Sequence, residues 1–473
     1  SITGYFKALK SLRNLRSLDL RHNGIGESAA GFTNSITLAE VLPSLPLLEK
    51  VDLNIFGRGC RHQLLLDALG KLRYLKEFSY SWIENADIEA FLHALSSLPL
   101  LEKLRFSTDK ISNTEHIGQL YAAIGKLKYL RKLDLVAYLY PISDSEAEAL
   151  AKVLPSLPLL EKLRFTTVKI SNTEHIGELY AAIGKLKYLR KLVLDINHSY
   201  NGSEEKALAK ALPSLEFLGE LKLGLVIRYE TDGEKQVFAA ISKLRYLKKL
   251  EYNFPLRGDT DVKAFSEMLT SLRLLEKLVL LGSIECINES EKKELFIAVG
   301  KLKRLKTLHL SEYFNITPTT VKALVRALLS LRVLEELHLE YIYGINGTES
   351  EQLSAAVGKL KYLKKLYLDW RKMTQTNVNA LVRGLASLQV LEELKLDVNF
   401  YCNHECDVDC DDKCDHNCSR PEYYEDCPDE QEQHMEDLTK EKVLEVREER
   451  LKYLKEFKLN EKHVISKGEL QVT

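Results

Sequence analysis

The sequence lacks an excess of charge of either sign: Lys and Arg total 67 against 68 for Asp and Glu. No global field therefore draws the chain onto nucleic acid or an anionic membrane. It lacks an apolar run of the roughly 18 residues that reads as a membrane span, so no membrane insertion is expected. It also lacks the motifs of common chemistries, with no phosphate-cradling Gly loop, no His-Glu-x-x-His and no Gly-x-Ser-x-Gly elbow. A protein that is not an enzyme is expected. Cysteine is scarce outside one place, because six of the eight lie between Cys402 and Cys427.

What the chain has instead is repetition. One flavour of a short pattern reads Leu-Lys-Tyr-Leu-Arg-Lys-Leu-x-Leu at Leu127 to Leu135 and Leu186 to Leu194. The other reads Leu-Pro-Leu-Leu-Glu-Lys-Leu-x-Phe at Leu98 to Phe106 and Leu157 to Phe165. The last apolar residue of each copy gives fifteen markers, from Leu20 through Leu53, Tyr80 and Phe106 to Leu396 and Leu459, with thirteen of fourteen gaps between 26 and 33 residues. The two flavours alternate. A spacing near 29 residues leaves room for one strand and one full helix per unit.

Each unit carries its own local signals. In Ala147 to Leu157 apolar residues recur at three- and four-residue spacing, the buried stripe of a helix. Leu163-x-Phe165 then alternates in and out as a short strand. Ser143 and the acids that follow it supply a helix cap. The Gly-Lys pairs at Gly125, Gly184, Gly300 and Gly358 read as punctuation at helix C-termini. No single unit buries its own apolar face, so stacking must supply the core.

Two alternating helical repeat types of this length resemble the ribonuclease-inhibitor-like subfamily of leucine-rich repeats, over nearly the whole chain. That resemblance implies an α/β solenoid of about fifteen repeats, a horseshoe with a parallel concave β-sheet and convex helices. It also implies recognition of a protein partner. Residues 1–399 are expected to hold the repeats, 400–437 a Cys-rich acidic insertion, and 438–473 the last repeat with a C-terminal cap hairpin around Gly468. Leu101 to Leu135 and Leu160 to Leu194 differ at only four of 35 positions, among them Asp134/Val193, as a recent duplication would leave them.

Lysines in one repeat type and glutamates in the other predict ion-pair ladders across neighbouring repeats, for example from Arg131, Lys364 and Lys365 to Glu161, Glu335 and Glu393. Residues flanking the marker face the concave side, and there the charges are mixed. His309 and His338 fall on that face in adjacent repeats, where exposed polar positions are the ordinary reading and a metal pair or a pH sensor the sharper one.

The insertion is the exceptional segment. Cys402, Cys406, Cys410, Cys414, Cys418 and Cys427 lie among Asp and Glu residues, with His404 and His416 nearby. A small disulfide knot is the first expectation, since a polar segment of this size needs staples. Zinc held by Cys and His is an alternative cofactor, although the spacing does not match the usual Cys-x2-Cys knuckle. A flexible acidic loop is the third reading. Tyr401, Tyr423 and Tyr424, with the neighbouring concave residues Tyr367, Asp369 and Asp397, are the expected contact surface for a protein partner.

Six Asn-x-Ser/Thr acceptors, at Asn197, Asn201, Asn288, Asn315, Asn346 and Asn417, point to glycosylation and with the cysteines to an extracellular or cell-surface setting. A structural glycoprotein of a coat or filament is one alternative, and a cytosolic regulatory scaffold the other. Ser1 falls inside the first helical stretch without a polar cap, which predicts either a longer parent chain or self-association at that end.

Overall fold

Every repeat marker falls on a strand or directly after one, and all fifteen are buried. In the computed structural model the described residues are 2–20, 29–54, 62–83, 85–108, 111, 113–137, 142–167, 175–196, 203–225, 233–253, 258–281, 288–311, 316–345, 347–400, 437–446, 451, 453–460 and 462–465. They fall into two compact units, Ser1–Phe254 and Pro255–Thr473. Each is an α/β leucine-rich-repeat solenoid.

The first unit has nine strands: β1 (Ser17–Asp19), β2 (Lys50–Asn54), β3 (Glu77–Ile83), β4 (Lys103–Thr108), β5 (Lys132–Ala137), β6 (Lys162–Thr167), β7 (Lys191–Ile196), β8 (Glu220–Leu225) and β9 (Lys249–Asn253). They pair in parallel and in chain order. Between them run α1 (Ile2–Leu9), α2 (Ala29–Val41), α3 (Gln63–Leu69), α4 (Ile88–Ser96), α5 (Thr114–Gly125), α6 (Asp144–Val153), α7 (Ile176–Gly184), α8 (Ser203–Ala211) and α9 (Gly233–Ile241).

The second unit has β10 (Lys277–Leu280), β11 (Thr307–Leu310), β12 (Glu336–Tyr343), β13 (Lys365–Met373), β14 (Glu393–Phe400) and β15 (Glu456–Leu459), again parallel and in order. Its helices are α10 (Gly258–Ser271), α11 (Glu289–Val299), α12 (Val321–Ser330), α13 (Gly347–Gly358), α14 (Gln375–Leu385) and α15 over 437–446. A last strand, β16 (Lys462–Ile465), pairs antiparallel with β15. The expected hairpin around Gly468 and most of the Cys-rich insertion lie outside the described residues.

The local physics repeats with the pattern. Ser143 caps α6 in a capping box with Glu146, whose side chain accepts from the Ser143 amide at 2.9 Å. At the end of α6, Pro155 stops the helix and opens a 3-10 turn over Leu154–Ser156. At each strand entrance, one carbonyl of the preceding repeat accepts two amides: Glu102 O takes Arg131 N at 2.8 Å and Lys132 N at 3.0 Å. Leu104, Leu133, Leu163, Leu192, Leu221 and Leu250 then stack in register, all buried. Each such leucine contributes about 1.5–3 kcal/mol by leaving water.

The Gly-Lys pairs have a role that spacing alone did not disclose. At Gly300 φ is −61°, and the backbone at the ends of α5 and α7 stays right-handed, so no left-handed cap is present at these positions. Their lack of a Cβ instead admits the next helix. A Cβ on Gly300 would sit 3.1 Å from Ala327 Cα, and one on Gly358 2.7 Å from Gly384 O. The freed space is used: Ser330 Oγ donates to Gly300 O at 2.6 Å.

The helix-to-strand turns share one edge, because the strands are parallel. In the first unit eight successive turns each expose one large apolar residue: Leu47, Tyr74, Leu100, Tyr129, Leu159, Tyr188, Phe217 and Tyr246. Phe217 and Tyr246 stack at 6.4 Å between ring centroids.

Candidate functional site

Period-two alternation in the second unit leaves the residue between each pair of buried strand positions on the solvent face of the sheet. Register then lines these residues up as a row across the strands, His309, His338, Tyr367, Lys395 and Lys458, with the buried Val279 at its start. The three rings of this row approach one another, with 5.0 Å between the His309 and His338 centroids and 5.7 Å between His338 and Tyr367. Lys395 Nζ lies 4.7 Å from the Tyr367 ring centroid, in cation–π range.

An acidic row runs beside the rings, towards the C-terminal ends of the strands. Asp369 and Asp397 are register partners on adjacent strands, and Glu340 belongs to the repeat before them. Like charges directly opposite destabilise a sheet unless neighbours compensate. Here they do. Arg371 holds Asp369, with Nη2 donating to Oδ2 at 3.0 Å and Nε at 2.6 Å from Oδ1. The Tyr367 hydroxyl donates to Asp397 Oδ2 at 3.2 Å, and Lys395 lies 3.7 Å from the same oxygen. His309 Nε2 meets Glu340 Oε1 at 2.6 Å. The result is an open depression of about 500 Å³ over His338, Tyr367 and Lys395, walled by Glu336, Glu340, Glu393 and Lys458.

The electrostatics follow from this packing. Burial pushes the Tyr367 phenol well up, and the Asp397 and Asp369 charges add to the shift, so the phenol stays a donor. Burial lowers the basicity of His338, and the neighbouring His309 lowers it further. Beyond the acids the backbone is strained. Tyr341 and Lys372 hold φ of 57° and 55°, the left-handed region that costs a non-glycine residue roughly 1–2 kcal/mol. Both lie within a register shift of their strands, between Leu339 and Ile342 and between Trp370 and Met373. The strain places Tyr341 parallel to Tyr343, with centroids 5.8 Å apart and 6° between planes, and sets Lys372 Nζ 5.1 Å from the Tyr343 ring. Strained residues of this kind gather at functional surfaces.

Of the residues expected from sequence, Tyr367, Asp369 and Asp397 come together here, and His309 and His338 join them as ring neighbours. Tyr401, Tyr423, Tyr424 and the six clustered cysteines lie outside the described residues, as do Asn197, Asn201, Asn315, Asn346 and Asn417. Asn288 is exposed and caps α11, with Oδ1 accepting from Ser290 N at 2.9 Å and Glu291 N at 3.0 Å. Sequence reasoning read Asn288 as a glycosylation acceptor and not as the cap. It also missed Arg371, Tyr341, Tyr343 and Lys372, although the Tyr-x-Tyr directly after the Leu339 marker, where a polar turn residue is usual, was a legible signal. Among the described residues no group of three His, Cys, Asp or Glu side chains is placed to hold a metal.

A larger depression of about 980 Å³ opens on the helix layer around Gly358, Tyr362 and Gly384. Its one carboxylate, Glu351, is matched by Arg383, Nη2 to Oε1 at 3.0 Å, and the rest of its lining includes Arg332, Lys359, Lys361 and Tyr362 beside small and aliphatic residues. The sheet face differs in setting three rings in contact beside several carboxylates.

The expected ion-pair ladders are present: Arg131–Glu161 at 2.5 Å, Lys364–Glu335 at 2.7 Å, Lys365–Glu393 at 2.7 Å, and Glu220 between Lys191 at 2.9 Å and Lys249 at 2.6 Å. The sequence matches no protein-family model and no curated protein.

Proposed function

We propose that the chain is a non-enzymatic protein-interaction module that binds a protein partner through the solvent face of the second unit's sheet. The observation that carries this reading is the row His309, His338, Tyr367 and Lys395 beside Asp369 and Asp397, with strained residues Tyr341 and Lys372 at its margin. Tyr and Arg with desolvated partners are the residue types that dominate binding energy at protein interfaces. A repeat solenoid suits such a role in general.

The Cys-rich segment, with Tyr401, Tyr423 and Tyr424, takes part in recognition in the same reading, and the six sequons argue for a setting outside the cell or on its surface. Support for that setting comes from Asn288, which is exposed and uses Oδ1 rather than its amide nitrogen for capping. The intact mass of natively sourced protein tests the setting: sugar-sized increments support it, and a bare mass with six alkylatable thiols in the insertion refutes it.

The binding test compares proteins captured from the native source on the wild-type chain and on Tyr367→Ala/Asp397→Ala. One partner should lose tenfold or more in affinity while the circular dichroism stays unchanged. Equal capture by both chains would overturn this assignment of the surface.

A further inference from the structure

The overall charge of the chain is balanced, but along the helix-to-strand edge of the first unit it is segregated. The eight turns that expose an apolar residue contain twelve Lys or Arg and four Glu. Two of those glutamates are already paired, Glu49 with Arg16 and Lys76, and Glu161 with Arg131. The bases cluster around the tyrosines, as Lys126 and Lys128 do at Tyr129 and Lys185 and Lys187 at Tyr188, and all of these are exposed. The apolar residues range from 37% exposure at Leu159 to 61% at Tyr188, and the five aromatic ones are all more than half exposed.

We propose that this edge is a peripheral docking surface for an anionic lipid bilayer. The eight turns follow one another at the strand spacing, so the ribbon extends about 34 Å. An exposed apolar line of that length marks an interaction site in a soluble protein. Its form fits a bilayer: one residue per repeat on the tips of turns suits a surface that yields rather than a partner that must be shaped to it. Tyrosine places its ring among the acyl chains and its hydroxyl at the headgroups. Lysine stems lie along the apolar line while the ammonium groups reach the phosphates. A second copy of the chain is disfavoured, because edge-to-edge docking would oppose two faces of net positive charge. Among the described residues no helix is long and apolar enough to cross a membrane, so the contact is a surface one.

The test uses the full chain with vesicles of phosphatidylcholine alone and of phosphatidylcholine with about a third phosphatidylserine. Flotation with the anionic vesicles only, weakening as salt rises, is the expected result. Each surface lysine near an anionic leaflet is worth about fivefold in affinity, so Lys128→Glu/Lys187→Glu should lose at least twentyfold. Replacing Tyr129, Tyr188, Phe217 and Tyr246 by Ser should lose tenfold or more with the circular dichroism unchanged. Tyr188→Trp should add a blue-shifted emission quenched by brominated lipid, a readout that needs no loss of binding. Lys152→Glu, on the helix layer, should stay within about twofold. Three results would each overturn the proposal: no flotation with anionic vesicles at low salt, flotation indifferent to the aromatic replacements, or capture of poly-glutamate by the ribbon in place of vesicles.

Discussion

Replacing glycine by alanine inside a helix ordinarily stabilises it by about 1 kcal/mol, since alanine has the higher helix propensity. Three glycines of this protein should separate that intrinsic gain from the cost of close packing. Gly118, within α5, has nothing within 4 Å of where its Cβ would lie. Gly118→Ala should therefore stabilise by roughly 0.5–1 kcal/mol. Gly384, within α14, is the opposite case: its Cβ would fall 2.3 Å from Ser354 O and 2.9 Å from Ser354 C, both backbone atoms of α13. Neither can rotate away, so α13 and α14 must separate by close to 1 Å, and overpacking of this kind costs about 1–3 kcal/mol. The propensity gain offsets only part of that, and Gly384→Ala should be destabilising. Gly358 sits on the other side of the same contact, with its Cβ 2.7 Å from Gly384 O. Once either alanine has pushed the helices apart the second finds room, so the double variant should cost less than the two singles together. Urea melts followed by circular dichroism give the order, and amide exchange of α13 and α14 locates the loss. Should Gly384→Ala stabilise like Gly118→Ala, the close approach of α13 and α14 would be wrong, and with it the account of the glycine at each repeat's helix end.

Glu204 is buried at the start of α8, and burial, aided by the Glu205 charge, raises its carboxyl to about 8. A raised carboxyl pKa means the native state keeps a proton that the unfolded chain releases, so stability should fall as pH rises from about 5 to 8, by up to a few kcal/mol. Melts of Glu204→Gln should lose most of that slope, and an unchanged slope would remove Glu204 as its source. His338 should titrate below the ordinary 6.5 by NMR, so stability falls as pH drops through 6.5, where the unfolded chain takes up the proton first. His309→Leu should move the midpoint upward by removing the neighbouring like charge, and an unmoved midpoint would show that the rings do not interact. Lys103, Lys132, Lys162 and Lys191 are register partners across four strands, and among the described residues only the outer two have ion-pair partners, Glu77 and Glu220. Lys132→Glu should restore alternation and stabilise by about 0.2–1 kcal/mol at low salt, with the gain shrinking as salt is added.

Fold and repeat number were legible because a solenoid writes its core position by position. Each marker had to be apolar, each cap polar and each entry to a strand a Leu-x-x-Leu, so alignment of the chain with itself amounts to alignment of its structure. The candidate site was legible only in part. Tyr367, Asp369 and Asp397 could be placed because they flank markers, where period two decides which face a residue takes. The hydrogen bond from Tyr367 to Asp397 depends on strand register, which the markers imply but do not display, and the grip of Arg371 on Asp369 joins two residues of one strand through a side-chain placement that no spacing reports. Tyr341 and Lys372 escaped because their left-handed backbone lies within a register shift, and residues of that conformation are usually sought at Gly or Asn. The glycines at the helix ends were seen but assigned the wrong cause, since spacing reports that a residue is small without saying which neighbour requires it.

In a solenoid every repeat position becomes a line across the molecule, so a bias of one residue type at one position becomes a physical stripe. Stacking fixes the core lines within narrow limits, and they hold little beyond Leu, Phe and Tyr. Surface lines are free to vary, and along the one just before the strands Lys or Arg largely alternates with Glu, as Glu335, Lys364, Glu392 and Lys455 do, which neutralises neighbours across strand pairs. Departures from that alternation set charges or apolar groups beside their like and forgo local stability. Two departures are prominent: the ring-bearing row of β11 to β14 beside its acids, and the edge where exposed Tyr, Leu and Phe meet unbalanced lysine. Drift at a surface position would scatter such residues among repeats. Their persistence along a line across several successive repeats is what a partner contacting those repeats together would require, and for that reason the two stripes, rather than any single residue of the chain, are where recognition should be sought.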